Sequence, residues 1–119
     1  MPLERTFGYS RAVVAGDRVF VSGTAPVMPY DADPPPDAYG QARRCLEIVL
    51  AALSEAGAGP EHVVRTRMYL TRSEDIEEVG RAHGEVFGDV RPATTGIVVA
   101  QLFDPRWLVE IEADAIIGA

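Results

Sequence analysis

The chain has 119 residues, a net charge of −7 and a hydrophobic share of 47%, which fits a single domain spanning residues 1–119. All eleven basic residues are arginine, which excludes a lysine Schiff base, a lysine general base and a P-loop lysine. The eighteen acids repel phosphate backbones and no basic stripe overrides them, so nucleic acid is not an expected partner.

A chain of this length buries roughly two-thirds of its unfolded surface and needs no disulfide or metal to stay folded. No apolar run approaches the ~18 residues that span a bilayer, so no membrane partner is expected. The opening "MPLERTFGYS" lacks the basic-then-apolar order of a secretory signal, and Cys45 stands alone. A cytoplasmic location is the expectation.

Residues 12–15 and 18–22 are β-rich runs around Gly16-Asp17 and predict a hairpin. Residues 24–36 follow as a loop, because Pro26, Pro29 and the prolines of "DADPPPD" forbid regular pairing. From Asp37 to Ala56, the positions Ala38, Ala42, Cys45, Leu46, Val49, Leu50 and Leu53 repeat at helical spacing. Asp37 is the expected N-cap and Gly57 the stop. Arg43 and Glu47 are spaced to pair on the outer face, and Cys45 on the apolar face reads as a buried small hydrophobe.

"HVVRTRMYLT", residues 62–71, reads as a strand with Val64, Thr66, Met68 and Leu70 on one face. Val63, Arg65, Arg67 and Tyr69 then take the other. A second helix is expected over residues 74–87, capped by Ser73 and ended by Gly88. Its inward stripe is Ile76, Val79, Ala82, His83, Val86 and Phe87. "RPATTG" starts a strand, with Pro92 fixing the entry and the threonines favouring extension. "IVVAQL" and "WLVEIEADAII" complete the strands. Helices interspersed on one face of a mixed sheet predict a two-layer α+β domain. The other face, carrying Val63 and Tyr69, is left uncovered and predicts a homo-oligomer.

Metal is not expected, because His62 and His83 are far apart and no ligand cluster has metal spacing. No GxGxxG, Walker or GxSxG pattern occurs, and no cofactor is implied. Glu110, Glu112 and Asp114 share one face of the last strand. They make either a solvated face or a cleft acid whose pKa is raised by burial or acidic neighbours. Tyr9 and Ser22 are hydroxyl candidates or structural groups. His83 fits a core or interface place. Arg65 and Arg67 suit an anion, or an ion pair with the acid-rich last strand.

The segments "GYSRAVVAGDRVFVSG", "GAGPEHVVRTRMYLT", "FGDVRPATT" and "LVEIEADAI" together resemble the Rid family, also called YjgF/YER057c/UK114. The resemblance spans nearly the whole chain in order and spacing. It implies a chorismate-mutase-like α+β fold and a homotrimer with ligand clefts between subunits. The archetypal activity it implies is hydrolysis of reactive enamines and imines, such as 2-aminoacrylate, to keto acids and ammonia. On that pattern Glu110 is the residue that handles a water and its proton, Tyr9 lines the cleft, and Ser22 and Gly23 close the hairpin beside it. Three positions depart from it. Thr94 stands where an arginine grips the substrate carboxylate, Gly80 where an asparagine lines the cleft, and Gly96 where a cysteine is common.

Thr94 offers a hydroxyl but neither fork nor charge, and the two glycines leave a roomier cleft. The implied function is acid–base chemistry with Glu110 on a small imine or enamine, without efficient 2-aminoacrylate hydrolysis. The rival reading is a non-catalytic ligand-binding or chaperone-like trimer. An older ribonuclease label attaches to the same family; the acidic balance and the lack of lysine or a histidine pair argue against it.

Overall fold

Gly16 takes a left-handed conformation, with φ +63°, and closes the two-residue turn between β1 (Ala12–Ala15) and β2 (Arg18–Thr24). The computed structural model of the chain describes residues 2–118. A short helix α1 (Pro2–Phe7) precedes the hairpin. Helix α2 (Ala38–Glu55) follows the proline-rich loop, and β3 (Val63–Leu70) leads into α3 (Ile76–Phe87). Strands β4 (Ala93–Val98) and β5 (Val109–Ile116) complete the chain. The sheet order is β1-β2-β5-β3-β4. Its β3–β4 pair is parallel, while the others are antiparallel. This is the expected mixed-sheet α+β architecture.

Helix α2 begins as its spacing predicts. The Asp37 carboxylate accepts from the Gly40 N–H at 2.8 Å, and Gly57 (φ +84°) lies just past its end. Its stripe of Ala42, Cys45, Leu46, Val49 and Leu53 is buried against Val19, Val21, Val109, Ile111 and Ala113. Full burial of each large aliphatic side chain contributes about 1.5–3 kcal/mol. Gln41, 2% exposed, is the polar exception in this layer. Its amide donates to Pro35 O and Arg106 O, and its Oε1 accepts from the Leu108 N–H at 2.7 Å. The segment entering β5 is thereby clamped to α2.

Several expectations need correction. Val63 is buried and Val64 exposed, the reverse of the predicted faces. A register shift between Val63 and Arg65 flips the start of β3 relative to β5. The start of β3 thus exposes Val64 in place of Val63. The strand starts within "RPATTG" as expected, but covers residues 93–98 and does not run on through "IVVAQL" to residue 102. The parallel register with β3 ends at Leu70–Val98, with a last backbone bond from the Val99 N–H to Leu70 O at 2.7 Å. Strand β2 runs to Thr24, two residues beyond its predicted end.

Ser73 does not cap α3; it lies inside a 3-10 turn, Ser73–Asp75. Arg72 grips the buried Asp75 carboxylate there at 2.8 and 2.9 Å. Ile76 at the next position faces solvent. Arg43 pairs with Glu85 and not with Glu47, which takes Arg44 instead. Helix α1 has no counterpart among the predicted elements.

Candidate active site

The β2–β5 ladder loses its regular step between Val21 and Thr24: Val21 faces Ala113, and Thr24 faces Ile111. Three steps on β2 match two on β5, so Ser22 and Gly23 form a bulge of the kind that re-aims side chains beside functional sites. A bulge leaves backbone carbonyls outside the ladder, and Arg11 meets them. Its Nη2 donates to Ser22 O at 2.8 Å, Gly23 O at 3.1 Å and Thr24 Oγ1 at 2.6 Å. Its Nε is buried with no hydrogen-bond partner among the described residues. Ser22 Oγ donates to Ser10 O at 2.6 Å, which ties the segment carrying Tyr9 to the bulge.

On β5, buried Val109, Ile111, Ala113 and Ala115 alternate with partly exposed Glu110, Glu112, Asp114 and Ile116. The three acids have different fates. Glu112 accepts from Tyr69 OH at 2.6 Å and pairs with Arg67 at 3.5 Å; Asp114 pairs with Arg67 at 3.6 Å. Arg67 thus follows the ion-pair reading. Glu110 has neither an ion pair nor a hydrogen bond among the described residues, and packs against the α-carbon of Gly23. Burial pushes its carboxyl above the ordinary range, Glu112 adds to the rise, and Arg11 opposes it. All three acids keep partial exposure, and Glu110 alone of them lacks a partner among the described residues.

Glu110 lines a cleft of about 320 Å³ together with Tyr9, Arg11, Ser22, Gly23 and Trp107. Leu3 and Phe7 of α1 form one wall and Phe103 contributes another. Four residues singled out in the sequence meet here: Tyr9, Ser22, Gly23 and Glu110. Arg11 and α1 were missed. The alternation "SRAVVA" presents Arg11 as an ordinary strand-entry cation, and only the bulge shows what it caps.

The remaining three, Thr94, Gly80 and Gly96, lie elsewhere. Thr94 Oγ1 is 2.9 Å from Thr66 Oγ1, which is buried and 2.8 Å from His83 Nε2 on α3. Gly80 and Gly96 line a separate pocket of about 270 Å³ between α3 and β4. That pocket is on the helix side of the sheet, whereas Glu110 projects from the opposite face. Within one chain the two groups do not meet. Among the described residues, no group of three or more His, Cys, Asp or Glu is placed to hold a metal. No helix there is long and apolar enough to cross a membrane.

The fold and its clefts define the class: a two-layer α+β domain with a cleft on either side of its sheet. The family profile described as endoribonuclease L-PSP matches residues 3–117. A Mycobacterium tuberculosis crystal structure of the YjgF/YER057c/UK114 family is similar, with 41% identity and a TM-score of 0.88 over 98% of this chain and 92% of that one. The chain belongs to that family. An uncharacterized Streptomyces coelicolor protein is 44% identical over 99% of this chain and 88% of its own. TdcF of Escherichia coli, provisionally named a reactive intermediate deaminase, is 30% identical over 93% of this chain and 88% of its own. Its crystal structure with bound serine has a TM-score of 0.84 over 91% of this chain and 87% of that one.

Proposed function

We propose that the protein hydrolyses small reactive imines or enamines, with Glu110 as its general acid–base. The observation that carries this is the state of Glu110, half-buried in a cleft and left unpaired where its neighbours Glu112 and Asp114 are neutralised. A carboxyl raised toward neutrality both takes and returns a proton. It removes a proton from water as the oxygen adds to the C=N carbon. It returns that proton to the nitrogen to give a carbinolamine, then moves the hydroxyl proton to the same nitrogen as the C–N bond breaks, so the imine and one water become a carbonyl and ammonia. Tyr9 presents its phenol to the same cleft. The deaminase name and bound serine of TdcF support this substrate class.

Thr94 in place of an arginine removes the charged fork for a carboxylate, so efficient 2-aminoacrylate hydrolysis is not part of the proposal. Glu110 and Thr94 lie on opposite faces of the sheet, and a shared site therefore needs two copies. One copy brings its Glu110 face to the α3–β4 edge of the next. Such a head-to-tail contact closes into a ring where its rotation permits, and the ring proposed here is the homotrimer that the family resemblance implies. Ribonuclease chemistry is disfavoured by the net charge of −7 and by the histidines. His62 Nδ1 accepts from the Gly59 N–H, while His83 is bound to Thr66.

The test is ammonia release from imines generated in situ from several amino acids, with Glu110→Ala alongside. Turnover that collapses in the variant supports the proposal. Equal rates sink it, and saturable binding without turnover in either protein supports the ligand-binding alternative.

A further inference from the structure

The pocket between α3 and β4 has hydrocarbon walls from Met68, Leu70, Val79 and Val98. Two glycines open it. A Cβ on Gly80 would meet nothing within 4 Å, and one on Gly96 would meet only Met68 Cε, at 3.9 Å. Thr94, outside that lining, lies one pleat from Gly96 on the same side of β4 and sets a hydroxyl beside the pocket along the strand. Behind it, Thr66 Oγ1 has a single proton and two neighbours, His83 Nε2 at 2.8 Å and Thr94 Oγ1 at 2.9 Å. The His83 ring is held against Phe87, with centroids 4.8 Å apart.

The hydroxyls permit two arrangements. Thr94 donates to Thr66, which donates to His83, leaving lone pairs of Thr94 free toward a ligand. Alternatively His83 donates to Thr66, which donates to Thr94, whose proton then turns outward or to Pro92 O, 3.1 Å away. The two tautomers of a neutral imidazole supply both. The Thr94 hydroxyl thus matches a donor or an acceptor, but brings no fixed charge to offset the desolvation of an anion.

Resting on the function proposed above, we infer that Thr94, Thr66 and His83 form a relay that makes this pocket select a hydrocarbon chain with one uncharged hydrogen-bonding head. The substrate is then a neutral branched or aromatic imine, or its carbonyl product. His83 and Thr66 are positioning residues, acting on the ligand through the Thr94 hydroxyl.

The experiment titrates the full chain with isovaleramide and with isovalerate, its carboxylate twin, near neutral pH, while following the His83 ring by NMR. The amide is expected to bind about tenfold or more tightly than the carboxylate and to shift the His83 resonances. Thr94→Val is expected to weaken the amide by about tenfold. Thr66→Val, nearly isosteric, is expected to weaken it less and abolish the His83 response. Absence of saturable amide binding, equal or tighter carboxylate binding, or a His83 ring indifferent to saturating amide in the unmutated protein overturns the inference. Glu110→Gln separates the two readings: retained amide binding upholds the relay even where turnover proves independent of Glu110.

Discussion

The carboxylate of Glu110 lies so close to the α-carbon of Gly23 that a side chain there would collide with Oε2. The colliding atom is the far end of a flexible side chain, and Gly23 does not need the left-handed backbone that favours glycine. Gly23→Ala is therefore expected to fold, with a Tm within a few degrees of the parent. The cost falls on the position of the carboxylate. Turnover is expected to drop by about 100-fold, the scale of an ångström's misplacement. Steady-state kinetics alongside a thermal melt checks both halves.

Glu110→Gln removes the proton-handling group and keeps the shape. A loss of about 10²–10⁴ in kcat is expected. Stability moves the other way. A folded-state pKa above the unfolded value means that the native protein holds the proton more tightly, so its stability falls as pH rises through that window. The variant is expected to melt higher than the parent at neutral pH and to lose that advantage once both states of the parent are protonated. Melts across pH measure the crossover.

Arg11→Gln takes a cation from beside Glu110 and donors from the Ser22–Gly23 bulge. Orphaned carbonyls of this kind cost about 1–3 kcal/mol, measurable by denaturant titration. Arg11 lowers the pKa of Glu110, so its loss raises that pKa further. The acid limb of kcat/KM is expected to move to higher pH.

Cys45 is fully buried, its Sγ is 3.7 Å from Val109 O, and burial pushes its thiol well up. A thiol reagent is expected to label it only on unfolding, with labelling tracking the denaturant transition. Rapid labelling of the native protein would place it at an accessible site instead.

The architecture was legible where periodicity is strong. The stripe from Ala38 to Leu53 and the alternation from Val109 to Ile116 each specify an element and its buried face. What escaped depends on pairing between distant segments. The bulge at Ser22–Gly23 and the flip at Val63–Val64 are register events, set by how β2 and β3 meet β5. Local alternation carries no trace of them. Tyr9 and Glu110 were candidates by residue type and pattern and took their roles from the resemblance, and the pairing of Glu112 and Asp114 with Arg67 and Tyr69 singled Glu110 out. Arg11 and Thr66 acquire meaning only from partners 11 to 28 residues away.

The most direct measurement is a ¹³C NMR titration of the Glu110 carboxyl, overlaid on the pH dependence of kcat/KM for imine hydrolysis. The expected midpoint lies above the ordinary glutamate range, coincides with the acid limb of the rate, and moves upward with it in Arg11→Gln. A Glu110 that titrates as an ordinary glutamate, or a rate that ignores its titration, would contradict its place as the proton-handling group of the cleft.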